Sequence, residues 1–230
     1  MRAPALAALM ACLSAAPALA GSTRPVVLEL FTSEGCNSCP PADAVLSELA
    51  ASGSNLLPLA FHVTYWDRLG WPDPFALPAA TQRQHDYAAL LGSDSVYTPQ
   101  MVVDGTHDVI GSDRAGVLRA VAQQRGQASH AVPVTLARSG GEIAITVASG
   151  EAIPANVLVA GYDSRHATAV KHGENAGRTL VESNVVRGLS RAGSWRGEAV
   201  TLRAKLPPGE HIAVLLQAEG GRILGAAQID

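Results

Sequence analysis

Cys36 and Cys39 are separated by two residues in the stretch ELFTSEGCNSCPPADAVLSEL, residues 29 to 49, and what flanks them narrows the fold. On the N-terminal side, VVLELF (residues 26 to 31) is a nearly continuous apolar run, the pattern of a strand covered on both faces in a parallel sheet. Glu29 interrupts it. On the other side, Ala42, Val45, Leu46, Leu49 and Ala50 recur at the spacing of one helical face, and Gly53 marks the stop. The expected local order is strand, CxxC, helix.

Three chemistries fit two adjacent thiols. As a redox couple they need a thiolate, and both a helix N-terminus and CxxC geometry lower a cysteine pKa. As a structural disulfide they close a loop so short that little unfolded-chain entropy is removed. As a metal clip they supply only two ligands; His62 is a third candidate, but no second CxxC and no HxxxH occurs. The position between strand and helix favours the redox reading. Pro40 and Pro41 follow directly on Cys39, and a residue before proline is pushed out of the α region. The regular helix is therefore expected to begin at Pro40, with the cysteines in a separate turn and a weakened dipole acting on Cys36.

The first twenty residues, MRAPALAALMACLSAAPALA, place one arginine before an apolar stretch and end in Ala18-Leu19-Ala20, the pattern of a cleaved signal peptide. A rival reading lipidates Cys12, although Met10 is bulky for that signal. Cleavage after Ala20 leaves Cys36 and Cys39 as the only cysteines of an exported chain, periplasmic or secreted, in a compartment where disulfides persist. No later stretch is long and apolar enough to span a bilayer, so no membrane insertion is expected after cleavage. The whole chain carries 17 basic and 20 acidic residues, and losing Arg2 lowers the basic count further, which argues against a nucleic-acid partner.

Further along, LLPLAFHV (residues 56 to 63) reads as a second buried strand, followed by the loop TYWDRLGWPDPFALP and a helix over AATQRQHDYAALL ending at Gly92. Thr98-Pro99 leads into a strand, Asp104-Gly105 reads as a hairpin turn, and Ser112 can cap a last helix. From about residue 131 the texture changes to alternation: Val132, Val134, Leu136, a Gly140-Gly141 turn, then Ile143, Ile145, Val147. Leu202, Ala204, Leu206 and Ile212, Val214, Leu216 repeat it around Pro207-Pro208-Gly209. Short alternating strands between turns point to an antiparallel sandwich or small barrel.

With these elements in place the chain resembles the thioredoxin-like superfamily, in which a CxxC between the first core strand and its helix faces a cis-proline before a later strand. Thr98-Pro99 occupies that later place. The similarity extends to a family of exported bacterial proteins, domain of unknown function 1223, in LELFTSEGCNSCPPAD, in HVTYWDRLGWPDPFA followed by QRQHDY, in YTPQMVVDG and in GENAGRTLVESNVVRGL. The resemblance implies an α/β thioredoxin-like domain, a mixed central sheet with flanking helices, over residues 21 to 129. An all-β, sandwich-like C-terminal domain is then expected over residues 130 to 230. It implies Cys36 as nucleophile, Cys39 as resolving thiol and a cis Pro99 shaping substrate access. Partners would be protein thiols or disulfides together with a redox partner that sets the state of the couple; no cofactor is implied.

Glu29 has two readings: a proton relay for the resolving thiol, as in periplasmic disulfide oxidoreductases, or a carboxylate paired with a cation. Five of the chain's ten aromatic residues lie between residues 61 and 75. With Thr98, Trp66 and Trp71 of this stretch are candidate substrate contacts, against the plainer reading of a loop pinned by its own aromatics. His62 and His85 read as ordinary strand-end and helix-surface residues. Arg165, His166, Lys171, His172, Glu174, Asn175 and Arg178 crowd a predicted hairpin that reads as a solvated turn or as a holder of a carboxylate or phosphate. The function expected is thiol-disulfide exchange. The rivals are a ligand- or partner-binding protein with a structural disulfide, and a copper-handling protein.

Overall fold

The computed structural model of the chain describes residues 24–128 and 131–230. The expected signal peptide and Cys12 lie outside the described residues. In chain order the elements are β1 (Val26–Thr32), α1 (Pro40–Ala51), β2 (Leu56–His62), a 3-10 turn (Thr64–Leu69), α2 (Pro78–Leu91), β3 (Gln100–Val103), β4 (His107–Ile110) and α3 (Arg114–Ala128). Seven strands follow: β5 (Val134–Ser139), β6 (Glu142–Val147), β7 (Ala155–Ala169), β8 (Thr179–Trp195), β9 (Val200–Lys205), β10 (His211–Ala218) and β11 (Ile223–Ile229).

All seven residues of β1 and of β2 are buried, and the two strands pair in parallel from Val26–Leu56 to Thr32–His62. One side of β1, Leu28 and Leu30, packs with Met101 and Val103 against Leu46 of α1 and Val117 of α3. The other side, Val27 and Phe31, packs with Val102 against Tyr87 of α2. Proline begins both α1 and α2, where its missing N–H is no loss and its fixed φ suits the first turn. Asp113, rather than the expected Ser112, caps α3, its carboxylate accepting the Gly116 N–H at 2.9 Å. Asp104 and Gly105 both have positive φ in the β3–β4 turn. A Cβ on Gly105 would sit 1.9 Å from the Gly221 carbonyl oxygen, so this turn tolerates nothing larger.

The change of texture near residue 129 does not divide the sheet. Eight strands run in the order β11-β10-β7-β8-β2-β1-β3-β4, joined where β8 meets β2 in parallel at Ala60–Val185. Phe31, Leu59 and Phe61 share one buried cluster with Tyr162, Val186, Ala213 and Leu215. A second, three-stranded sheet, β5-β6-β9, packs Ile143, Ile145 and Val147 on Val157, Val159, Ile212 and Val214. The Pro207-Pro208-Gly209 turn therefore does not close a hairpin: β9 pairs with β6, whereas β10 pairs with β7 and β11. Among the described residues no helix is long and apolar enough to cross a membrane.

Candidate functional site

The cysteines occupy the turn between the end of β1 and the start of α1. They are joined as a disulfide with Cα atoms 5.4 Å apart, and α1 begins at Pro40, immediately after Cys39. The turn carries its own backbone bonds, Cys36 N–H to the Ser33 carbonyl at 3.1 Å and Cys39 N–H to the Cys36 carbonyl at 3.2 Å. The Cys39 carbonyl in turn accepts the Ala42 and Asp43 N–H groups. Cys36 thus lies ahead of the helix rather than in its first turn, where the macrodipole has already fallen off.

Thr98 and Trp66 come to the sulfur together. The Trp66 indole N–H donates to the Thr98 hydroxyl at 2.9 Å, and that hydroxyl donates to Cys36 Sγ at 3.3 Å. Ser38 Oγ lies 3.3 Å from the same sulfur. The Thr98–Pro99 peptide bond is cis. Trp66 also presses on Gly35, where a Cβ would stand 3.1 Å from the Trp66 Cβ. Trp71 is turned elsewhere, its indole N–H donating to Glu34 Oε2 at 2.7 Å. Neither sulfur is on the surface, both cysteines being 0% exposed.

Glu29 is the correction among the expected site residues. It lies three residues, about 10 Å of strand, before the end of β1. Its side chain falls on the α2 side, where the Arg83 Nε and Nη2 groups and the Tyr87 hydroxyl all donate to its carboxylate. Arg83 donates further to Gln217 Oε1 at 2.9 Å. Of its two readings, the geometry is the paired carboxylate.

The acids that do surround the cysteine turn were not singled out by the sequence. Glu34, Asp43, Asp73 and Glu182 are buried, and His62 is buried among them. Asp73 accepts from the Glu34 N–H at 2.8 Å and meets His62 Nδ1 at 2.8 Å. The Thr32 hydroxyl donates to Asp43 at 2.8 Å. Glu182 reaches to 3.7 Å of His62 Nε2, and neither of its carboxylate oxygens has a hydrogen-bond partner among the described residues. Of these groups, His62 and Glu182 keep a proton at neutral pH. Burial pushes the Asp43 pKa up to about 6 and that of Glu182 up to about 8. Burial acts to lower the pKa of His62, but the carboxylates of Glu182 and Asp73 outweigh it and push His62 up to about 10. Burial also acts to raise Asp73, yet the His62 charge and hydrogen bonds bring it below its usual value.

These shifts fix the sign of a pH effect on stability. The imidazolium of His62 contributes fully below about pH 6.5 and is lost as pH rises toward about 10. The protonated Glu182 contributes fully below about pH 4.5 and is lost as pH rises through about 8. Both favour the acid side of neutrality, and Asp73 acts oppositely only in strong acid. The melting temperature is expected to fall between pH 6 and pH 9 by about 6 to 12 °C, corresponding to about 3 kcal/mol. Calorimetry across that range checks it, and Glu182→Gln should flatten the slope. A pH-independent melting temperature in the native protein would refute the proton-holding cluster.

Asn175 of the β7–β8 hairpin tip reaches the same turn. Its side-chain amide donates to the Glu34 and Cys36 carbonyls, each at 2.9 Å, while the Asn37 N–H donates to Glu174 at 3.2 Å. The hairpin residues read from sequence as a solvated turn or anion holder are thus split: Asn175 turns inward with Arg178 donating to it, whereas Lys171 and His172 are exposed.

The family model described as "Protein of unknown function (DUF1223)" matches residues 27–217, most of the chain. The chain belongs to the DUF1223 family. No curated protein matches it significantly. Among solved structures, this DUF1223 chain is similar to the crystal structure of protein AGR_C_4864 from Agrobacterium tumefaciens, with 33% identity over 91% of this chain and 96% of that one and a TM-score of 0.78. It is similar in fold to HBP35 of Porphyromonas gingivalis, with 16% identity over 91% of this chain and 76% of that one and a TM-score of 0.63.

Proposed function

We propose that this DUF1223 protein is an exported, thioredoxin-like thiol-disulfide oxidoreductase whose working couple is Cys36–Cys39. The observation that carries the reading is the disulfide set in the turn between β1 and α1, with the Thr98 hydroxyl on Cys36 Sγ. A substrate thiolate attacks Cys36 Sγ, the bond to Cys39 breaks, and Cys39 leaves as a thiolate that takes up a proton. A second thiolate of the substrate then attacks the substrate sulfur of the mixed disulfide and expels Cys36. Two electrons and two protons have passed from substrate dithiol to the CxxC pair; the reverse sequence reduces a disulfide.

In this reading the proton that Cys39 exchanges passes to and from Asp43, one helical turn further on, whose burial pushes its pKa up to about 6. The partners in this reading are protein thiols or disulfides, with a separate redox partner that resets the couple.

A second reading, a ligand- or partner-binding protein with a structural disulfide, is favoured by the complete burial of both cysteines. Copper handling has no such support: His62 is held by Asp73 and faces Glu182. Equilibration against glutathione buffers, with thiol alkylation as readout, separates the first two. A potential between about −270 and −120 mV is expected for a working couple; one below about −300 mV marks a structural bond and sinks the enzyme reading.

A further inference from the structure

We propose that Asn175, at the tip of the β7–β8 hairpin, is a positioning residue that latches a strap over the cysteine turn and gates attack on Cys36. The inference rests on the exchange reading of the Cys36–Cys39 couple. It adds a control element from the other half of the sequence.

The contacts are few and specific. Both amide hydrogens of Asn175 are used, on the Glu34 and Cys36 carbonyls, and its oxygen accepts from Arg178 at 2.8 Å. Glu174 takes the Asn37 N–H, so the tip holds three positions of the turn that carries the nucleophile. Between Lys171 and Thr179, Asn175 alone is buried, and the rest of the tip is exposed. The tip also rests on Trp71, a Cβ on Gly173 standing 3.2 Å from the Trp71 Cβ. A short, exposed segment held down mainly by polar contacts belongs to the low-stability end of a structure and opens locally rather than with the whole chain. The hairpin keeps its own closure when it lifts, because the Val170 N–H bonds the Arg178 carbonyl and the Gly177 N–H bonds the Val170 carbonyl, each at 2.9 Å.

Closure has a chemical consequence. Both cysteines are 0% exposed while the tip holds the backbone of their turn, so an incoming thiolate has no line to Cys36 Sγ until that turn moves. Releasing the Glu34 and Cys36 carbonyls frees the turn to present its sulfur. A partner that competes for those carbonyls would open the site as it binds.

The test is the rate at which dithiothreitol reduces Cys36–Cys39 in the folded full-length chain, quenched by alkylation. Two electrons and two protons pass to the cysteines, and the reductant leaves as its cyclic disulfide. Asn175→Ala removes the latch. Asn175→Asp keeps its shape but replaces the two donors by a carboxylate facing two carbonyls. Both are expected to reduce at least tenfold faster than the native chain, and Lys171→Ala at the native rate. Val157→Ala, in the core between the two sheets, controls for general loss of stability. If it accelerates reduction as much as the Asn175 variants at equal stability loss, reduction follows global unfolding and the strap is overturned. Should the Asn175 variants not fold, Glu174→Ala, which removes the acceptor of the Asn37 N–H, takes their place, with a severalfold acceleration expected and an unchanged rate counting against the strap. Fast reduction of Asn175→Ala in a protein that catalyses no exchange would uphold the strap and remove the enzyme reading. Native-rate reduction of both Asn175 variants in a protein that does exchange would remove the strap alone.

Discussion

Replacing Cys36 by serine is expected to abolish thiol-disulfide exchange while leaving a folded protein. A serine hydroxyl forms no mixed disulfide, and only a thiolate attacks at neutral pH. Cys39→Ser should behave differently: Cys36 still attacks, but nothing nearby resolves the product, so the substrate stays covalently attached and is visible by mass. The structural cost is small. Opening a ring that spans three sequence positions restores about 2 kcal/mol of unfolded-chain entropy, a fall in melting temperature of about 4 to 8 °C. Exchange that survives Cys36→Ser would end the proposal, and retention of a bound partner by that variant would favour the binding reading.

The largest effect on stability is expected from Arg83→Met. Arg83 is buried beside the Glu29 carboxylate, also donates to Gln217, and lies with its guanidinium 4.9 Å from the centre of the Tyr87 ring. Burial disfavours its charge, but Glu29 outweighs burial and holds the guanidinium above its usual pKa. Removing one member leaves a buried carboxylate with Tyr87 as its remaining donor. Such a loss costs about 3 to 5 kcal/mol, a fall of about 6 to 20 °C in melting temperature. The double variant Glu29→Leu, Arg83→Met removes both charges and should recover most of the loss in denaturant titrations. A double variant no more stable than Arg83→Met would place the cost in the lost Arg83 bonds to Gln217 and the Tyr87 hydroxyl instead. In either variant the exchange rate of the folded molecules should remain native, because the pair lies off the cysteine turn.

The sequence by itself determined what depends on near neighbours. The apolar run before the cysteines, the helical spacing after them and the two prolines dictated a strand, a separate CxxC turn and a helix beginning at Pro40, as observed. Asp104-Gly105 marked a turn because few other residues accept positive φ in succession, and alternation marked β5 and β6 because a strand presents opposite faces at every step. Tertiary structure decided everything that joins distant segments. Glu29 was legible as an acid in a strand, but its partner lies 54 positions away on α2, and a relay and an ion pair look alike until that helix is placed. The same holds for Asn175, one polar residue in a polar hairpin, which reaches a carbonyl 139 positions earlier only because β8 lies against β2. Glu34, Asp43, His62, Asp73 and Glu182 come from a turn, a helix, a strand, a loop and another strand; no spacing relates them, and their shifted protonation arises from burial and from the charges burial brings together, which a linear sequence does not carry.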